Sequence, residues 1–455
     1  MDDFKYTVQE KISRDPSNTL DVIIVGAGLG GLGAAISVLL AGHNVTVLES
    51  ASEIGEVGAG IQILPNAARV LFSWGLKDAL EKFATKPKKC NFIGWRGNKL
   101  SEMDYHAYTQ ASSSPFWDFH RANLHKCLVD RTLELGGKIM TKARVEALKV
   151  AQDQLSATVT LQDGQKLTAD LVVGADGINS KLREIFLGHP DPPVLTGDLA
   201  YRIILDADEM RKDPELRNFV DEPQVNYWLG PDAHAVNYVL KGGKLFNMVL
   251  LVPDDIPEGS NTAEGDVEEM RAYFKDWDPR IGKLLSMCDS VLKWRLCIRP
   301  GLEPTWSDPS GAFTLLGDAV HATLPYLASG AGMALEDGSI LGLCLARIAD
   351  KSSASKAQAL RVYEACRRER TEKVVKQGTY NQWIYHLHDG DEQQKRDQRL
   401  KEFEQWELDW MSQPVFTVPE SSETGPDPLP WRCNGVGRWL LTYDTNKDVA
   451  ARWVS

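Results

Sequence analysis

Residues 20–49 constrain this chain more than any other stretch. Leu20 to Val25 is a short apolar run suited to a strand buried on both faces. Gly26, Gly28 and Gly31 follow as G-x-G-x-x-G. Leu32 to Leu40 has the composition of a buried helix, Gly42 stops it, and Val45 to Leu48 returns as a second strand ending at Glu49. In such a turn the first glycine permits a tight bend and the second lets backbone approach a pyrophosphate. The third lets helix and strand pack closely. The helix N-terminus presents free N–H groups and a positive dipole end to phosphates. An acid closing the second strand is placed to accept hydrogen bonds from an adenosine ribose. Strand, turn, helix and acid agree on a dinucleotide site.

A membrane span is the rival reading, because Val22 to Gly42 is almost uninterrupted apolar sequence. Six of those 21 positions are glycine, a strand pattern follows at once, and no basic flank precedes it, so no stable membrane insertion is expected. The 455 residues suffice for two or three domains. A net charge of −12 argues against a nucleic-acid partner, which needs clustered Lys and Arg. The seven cysteines include no C-x-x-C, so neither a disulfide framework nor a metal site is expected. Residues 1–19 show no apolar signal region, and a cytoplasmic protein, monomer or homodimer, is the plain expectation.

Further along, Ile54 to Gln62 holds too many glycines for a regular element and reads as a loop passing close to something flat or phosphorylated. Pro65 to Trp74 reads as a helix, Phe92 to Tyr105 as two strands around Gly97-Asn98, and His120 to Leu135 as a helix with Arg121 in its first turn. A cation there opposes the helix dipole, so Arg121 is either a solvated charge or a grip on phosphate. A hairpin is expected from Ala157–Leu161 and Leu167–Val173, running into Gly174-Ala175-Asp176-Gly177. From Leu199 to Val252 the texture becomes repeated strands, an antiparallel sheet closed by helices over Ala263–Trp277 and Ile281–Met287. Phe313 to Leu316 is a short buried strand ending in Gly317-Asp318, followed by helices near 332–348, 357–378 and 388–409. Six of the 13 tryptophans lie from Trp383 onward, so the tail should pack on the body or on a second subunit.

Three separated signals line up: the first glycine turn with Glu49, Asp176-Gly177, and Gly317-Asp318-Ala319-Val320-His321 with Pro325 and Gly330-Ala331-Gly332 after it. A chain that returns to a nucleotide site three times, with a sheet domain inserted, resembles the single-component flavin aromatic hydroxylases of para-hydroxybenzoate and salicylate hydroxylase type. The texture at 58–67 and Leu199-Ala200-Tyr201-Arg202 is similar to fungal salicylate-hydroxylase-type enzymes. The resemblance covers roughly residues 18–385. It departs at Ala328-Ser329-Gly330, where many members carry Gly-Gln-Gly, and at Ile298-Arg299, where many carry Asp-Arg.

The fold implied is an α/β Rossmann-like FAD-binding domain in two parts, 18–190 and 291–385. An antiparallel β-sheet substrate domain spans 191–290, and a helical, Trp-rich extension spans 386–455. The resemblance implies non-covalent FAD held by Gly26, Gly28, Gly31, Glu49, Gly60, Ile61, Arg121, Asp176, Asp318, Gly330, Ala331, Gly332 and Met333. NADH or NADPH and O2 are the implied co-substrates, with a flavin C4a-hydroperoxide delivering oxygen to a small, electron-rich phenolic ring.

Arg202 matches a phenolate-binding position of the dearomatising relatives; its alternative is an internal ion pair. Tyr238 matches an active-site tyrosine or is an ordinary sheet tyrosine. His234 either accepts the phenol proton or sits in the Gly230–Ala233 turn. Pro325 and Tyr326 adjoin the flavin motif and the substrate, while His321 reads as structural. A hydroxybenzoate or salicylate-type acid, with CO2 lost where the attacked carbon bears a carboxylate, is the leading expectation. Simple or dearomatising hydroxylation of a polyketide-type phenol and a flavin oxidase or dehydrogenase are the alternatives.

Overall fold

Asp21–Val25 lies at the centre of a parallel sheet in the computed structural model, which describes residues 6–55, 60–412, 421–423, 425–429 and 439–453. Among the described residues this sheet has five strands, in the order Phe313–Leu315, Leu171–Gly174, Asp21–Val25, Asn44–Leu48 and Lys138–Met140. All neighbours run parallel. The central strand is apolar without alternation because both faces are covered. Leu29–Leu40 and Gly330–Leu345 pack on it side by side. They come close because a Cβ on Gly338 would stand 2.5 Å from the Ala34 nitrogen, and one on Gly342 would stand 2.1 Å from Ser37 Oγ. That approach aims both helix N-termini at one place.

The larger sheet has eight strands among the described residues, ordered Thr262–Gly265, Val291–Ile298, Val194–Asp206, Leu245–Pro253, Ala233–Leu240, Val225–Gly230, Lys89–Gly94 and Lys99–Asp104. It is antiparallel except where Val225–Gly230 lies parallel to Lys89–Gly94. The sheet therefore extends beyond the 191–290 segment at both ends. Its two faces follow the strand period of two. Leu199, Tyr201, Ile203 and Leu205 pack under the helices Ala207–Met210, Arg217–Asp221, Val267–Tyr273 and Pro279–Ser286. Ala200, Tyr227, Tyr238 and Leu251 look the other way, toward the parallel-sheet half.

Several local expectations change. The helix expected from Ala263 begins only at Val267, because Thr262–Gly265 pairs with Val291–Trp294 and the Asp266 carboxylate caps the Glu268 and Glu269 N–H groups. The strand expected over 167–173 breaks at Asp170. Its first half closes the hairpin on Ala157–Leu161 and its second half joins the parallel sheet. Gly60–Ile63, expected as loop, pairs with Trp117–His120. The remainder of that glycine-rich stretch, 56–59, lies outside the described residues, as do Pro430 and Trp431.

The 33-residue helix Ser353–Tyr385 runs along both halves, and Asp391–Ser412 follows it. Glu404 accepts the Glu102 N–H (3.0 Å), tying the second of these to the sheet's edge strand. Arg370 donates to the carbonyls of Trp439 and Leu440 and lies 3.9 Å from the Tyr443 ring centre, holding the last described segment on the body.

Candidate active site

The two halves face each other across a cavity of about 400 Å³. One wall is largely main chain. Gly26 has φ 108°, and a Cβ there would stand 2.3 Å from the Ala175 carbonyl oxygen; on Gly31 it would stand 2.0 Å from the Gly26 oxygen. Those two glycines serve the packing of the chain on itself. Gly28 differs, since a Cβ there would meet nothing within 4 Å among the described residues. The helices starting at Leu29 and Gly330 both lack a side-chain cap, so their first N–H groups are presented at the cavity edge. Glu49 accepts from the N–H groups of Ala27 (2.9 Å) and Ala51 (2.8 Å) and from Ser50 Oγ (3.2 Å). Burial alone would raise its carboxyl; these donors outweigh burial and lower it.

Arg121 and Asp318 both line this wall. Asp318 reaches water through the cavity yet is enclosed by protein, and burial raises its carboxyl against the pull of His321 and Arg121. Burial lowers the Arg121 guanidinium, with Asp318 opposing and the like charge of Arg202 reinforcing. Beneath them is a buried ionic network. Asp337 accepts from the Gly317 N–H (2.8 Å) and Arg367 Nε (2.7 Å), and His321 Nε2 lies 2.6 Å from it. Burial would raise Asp337, but His321 and Arg367 outweigh it and hold it at about 2. Glu336 takes Arg370 through two bonds of 2.8 Å, Arg367 at 2.8 Å and Asn66 at 2.7 Å. This network fixes the Gly317–Asp318 turn against the two helices.

The other wall is the sheet face. The strand register puts Arg202, Val249, Val236 and Tyr227 in one row across the sheet, and Ala200, Leu251 and His234 in the next. Arg202 and His234 therefore stand two strands apart, about 10 Å, and one residue pair out of step. Arg202 is deeply set, lies 5.0 Å from the Trp294 ring centre, and bonds to no carboxylate among the described residues. Burial lowers its guanidinium; the Tyr238 hydroxyl pulls the other way. Tyr238 is pushed up, by burial first and by Asp118 next. His234 is wholly buried, its Nδ1 lies 2.7 Å from His386 Nε2, and its Nε2 has no hydrogen-bond partner among the described residues. The Tyr326 hydroxyl donates to Asp198.

Residues 19–378 match the family model described as "FAD binding domain". The chain belongs to the FAD-dependent aromatic monooxygenases. It is 41% identical to FAD-dependent monooxygenase OpS4 of Beauveria bassiana over 93% of this chain and 95% of the relative. It is 33% identical to 3-hydroxybenzoate 6-hydroxylase of Polaromonas naphthalenivorans over 82% and 90%. Among solved structures, Klebsiella pneumoniae HpxO complexed with FAD and uric acid aligns at TM-score 0.71 and 25% identity over 84% of this chain and 93% of that one. A salicylate hydroxylase substrate complex shares the fold, at TM-score 0.75 and 22% identity over 96% and 98%.

The residues of this monooxygenase fit the cofactor: open space over Gly28, two uncapped helix N-termini, and a cation and a carboxylate at the cavity. Of the residues expected at the site, the cavity brings together Gly28, Gly60, Ile61, Arg121, Arg202, His234, Tyr238, Asp318, Pro325, Tyr326, Gly330 and Ala331. Gly26, Gly31, Glu49, Asp176, Gly332 and Met333 are not among the residues that line it. Asp176 accepts from Ser180 Oγ (2.6 Å) and the Leu182 N–H (3.0 Å), at the start of the Lys181–Leu187 helix. His234 belongs to the Ala233–Leu240 strand, not to the preceding turn.

The sequence reading missed His386, Asp198, Asp118 and the network of Glu336, Asp337, Arg367 and Arg370. One signal for the network was available: Glu336-Asp337 interrupts an otherwise apolar helix, and buried acids require cationic partners. Arg299, which keeps the family's Arg beside the departing Ile298, braces the loop after Asp176 by donating to the Ile178 carbonyl (2.6 Å) and Asp191 (3.0 Å).

Proposed function

We propose that this monooxygenase hydroxylates a phenolic acid of the hydroxybenzoate or salicylate class. The observation that carries the reading is Arg202, a deeply set guanidinium on the cavity wall without a carboxylate partner among the described residues. Burying such a charge is costly unless an anion arrives. A phenolate or ring carboxylate supplies one, and the guanidinium binds either through paired N–H donors. The named activity of the 33%-identical relative, on 3-hydroxybenzoate, is of the same chemical class.

In this reading the ring lies over Val236 and Val249, with its acid end at Arg202 and its hydroxyl toward His234. Nε2 of His234 accepts the phenol proton, which makes the ring electron-rich enough for attack by an electrophilic oxygen. Tyr238, its hydroxyl kept protonated by burial, donates a hydrogen bond to the substrate. The aliphatic side chains of Ala200, Val249, Leu251 and Leu296 keep water from the reacting centre. The Gly28 and Gly330 turns would hold FAD, which with NADH or NADPH and O2 would supply the activated oxygen. Where the attacked carbon carries the carboxylate, CO2 leaves with the ring's electrons restored.

The test follows coenzyme oxidation by FAD-loaded protein with salicylate, 3-hydroxybenzoate and 4-hydroxybenzoate, together with product mass under labelled O2. The expected result is stimulation by at least one acid and one labelled oxygen in the product; a mass lowered by the carboxyl group reports decarboxylation. No stimulation by any of the three defeats the substrate class. Hydrogen peroxide as the sole product would identify an oxidase.

A further inference from the structure

His234 and His386 come from distant parts of the chain. His234 is the second residue of the Ala233–Leu240 strand, and His386 is the residue on which the Ser353–Tyr385 helix ends. The His386 carbonyl accepts the Asp232 N–H (3.1 Å), so the helix end and the strand's turn are fastened together. The two rings then meet nitrogen to nitrogen, His234 Nδ1 to His386 Nε2, at 2.7 Å. A contact of that length holds one proton between two lone pairs. Beyond it, His386 Nδ1 lies 3.7 Å from Asp198 Oδ2, and 11% of the His386 side chain is at the surface. The row therefore runs from the cavity wall to the outside of the domain.

We propose that His234 and His386 form a two-imidazole relay that carries the phenol proton out of the cavity to Asp198 and solvent, with neither ring becoming an imidazolium. This rests on the functional reading above and adds the route. The substrate hydroxyl gives its proton to His234 Nε2; the proton on His234 Nδ1 passes to His386 Nε2; the proton on His386 Nδ1 passes to the Asp198 carboxylate or to water. Both rings end neutral with their tautomers reversed. Reprotonation of the phenolic product runs the same steps backward and restores them.

Burial explains why a relay is needed. It holds His386 at about 4 and His234 well below the ordinary histidine range, so a proton accepted at one nitrogen must be released at the other. The groups facing the pair favour this direction. Asp232 and Asp198 stand at the outer end, where burial raises the Asp198 carboxyl and the Tyr326 hydroxyl donates to it. Around His234 the neighbours are the rings of Tyr227, Tyr326 and Tyr385, which cannot stabilise a cation as a carboxylate would. His388, close by, pairs with exposed Asp232 at 2.9 Å and leaves the relay to His386.

The test compares wild type with His386→Gln and Asp198→Asn, each purified with FAD, using whichever of the three acids turns over fastest. Glutamine keeps a hydrogen bond to His234 but cannot pass a proton through. In His386→Gln, kcat near pH 6.5 should fall at least tenfold, with KM within about threefold. The deficit should disappear as pH rises through the substrate's own phenol pKa, where the ring arrives already ionised. Nitro-substituted substrate, ionised at lower pH, should show the recovery at correspondingly lower pH. Asp198→Asn should show the same pattern, weaker. A loss uniform across pH, or a wild-type profile in His386→Gln, overturns the relay while leaving the functional reading intact. If wild type turns over none of the acids, the functional reading fails first and the relay with it.

Discussion

The two walls of the cavity are built by opposite means. The turn at Gly26–Gly31 works through what is missing: side chains are absent so that main-chain N–H groups and an open volume remain. The sheet face presents side chains that the described residues leave unpaired, Arg202 without a carboxylate and His234 Nε2 without a hydrogen bond. The first arrangement suits a large, invariant cofactor gripped along its backbone-like pyrophosphate. The second suits a small ring distinguished by where its charges lie. Unsatisfied groups on a wall cost stability in the free protein, and that cost is recovered only by a ligand of the right polarity.

The strongest test of this contrast is Gly31→Ala. A methyl 2.0 Å from the Gly26 oxygen forces the turn apart, so this variant should lose at least ~3 kcal/mol of stability and fail to retain FAD, read by melting and by flavin absorbance. A stable yellow protein would show that the turn is looser than its geometry. Next is Arg202→Ala, which should lower kcat/KM about a hundredfold, ~2.7 kcal/mol, while flavin content stays unchanged. Loss of flavin from that variant would mean the two walls are not separable.

Gly28→Ala sharpens the comparison further. Its φ of −71° suits alanine and nothing lies within 4 Å of the new methyl, so melting of the FAD-free protein should barely move. The FAD dissociation constant should nevertheless rise about tenfold or more, because the methyl occupies the phosphates' path. Equal effects at Gly28 and Gly31 would erase the distinction drawn between space kept for the cofactor and space kept for the chain.

The smallest effect concerns pH and touches both walls. His43 sits behind the cofactor side, accepting the Leu20 N–H at Nδ1 (3.1 Å) with Nε2 3.1 Å from the Leu345 carbonyl, and burial holds it at about 4. His386 on the sheet side is held at about 4 by the same cause. Between pH 6.5 and 4 the unfolded chain protonates these rings and the folded protein does not. Their stabilising contribution is therefore complete above pH 6.5 and is lost as pH falls toward 4. The melting temperature should drop by a few degrees from pH 7 to 5, and His386→Gln should flatten the slope. An unchanged slope would remove His386 from the titration.

The two walls also differed in how far they could be read from the chain. The strand-turn-helix at 20–40, the Gly317-Asp318 turn and the β-rich texture from 199 to 252 were legible because each is local: period, spacing and glycine placement decide them within a few turns of chain. Arg202 and Tyr238 were legible as polar groups in apolar strands, but not which distant groups surround them. His386 carried no signal, since a histidine after a long polar helix looks the same whether or not a strand residue 152 positions earlier waits for it. Arg367 and Arg370 fall in the helix expected over 357–378 with nothing to single them out, and only packing shows Arg367 wholly buried against Glu336 and Asp337. The strand at Thr262–Gly265 was misread for the same reason: its partner Val291–Trp294 lies beyond the helices it was assigned to.

By itself, then, the sequence determined the cofactor class and the presence of an inserted sheet, because a glycine that must lack a Cβ and a strand that must alternate are constraints between near neighbours. Tertiary structure alone decided that Arg202 goes without an acid among the described residues, that His234 meets His386, and that a buried ionic network steadies the Gly317 turn. Those are outcomes of which distant groups share a low-dielectric interior, where the strength of a charge or hydrogen bond depends on everything packed around it.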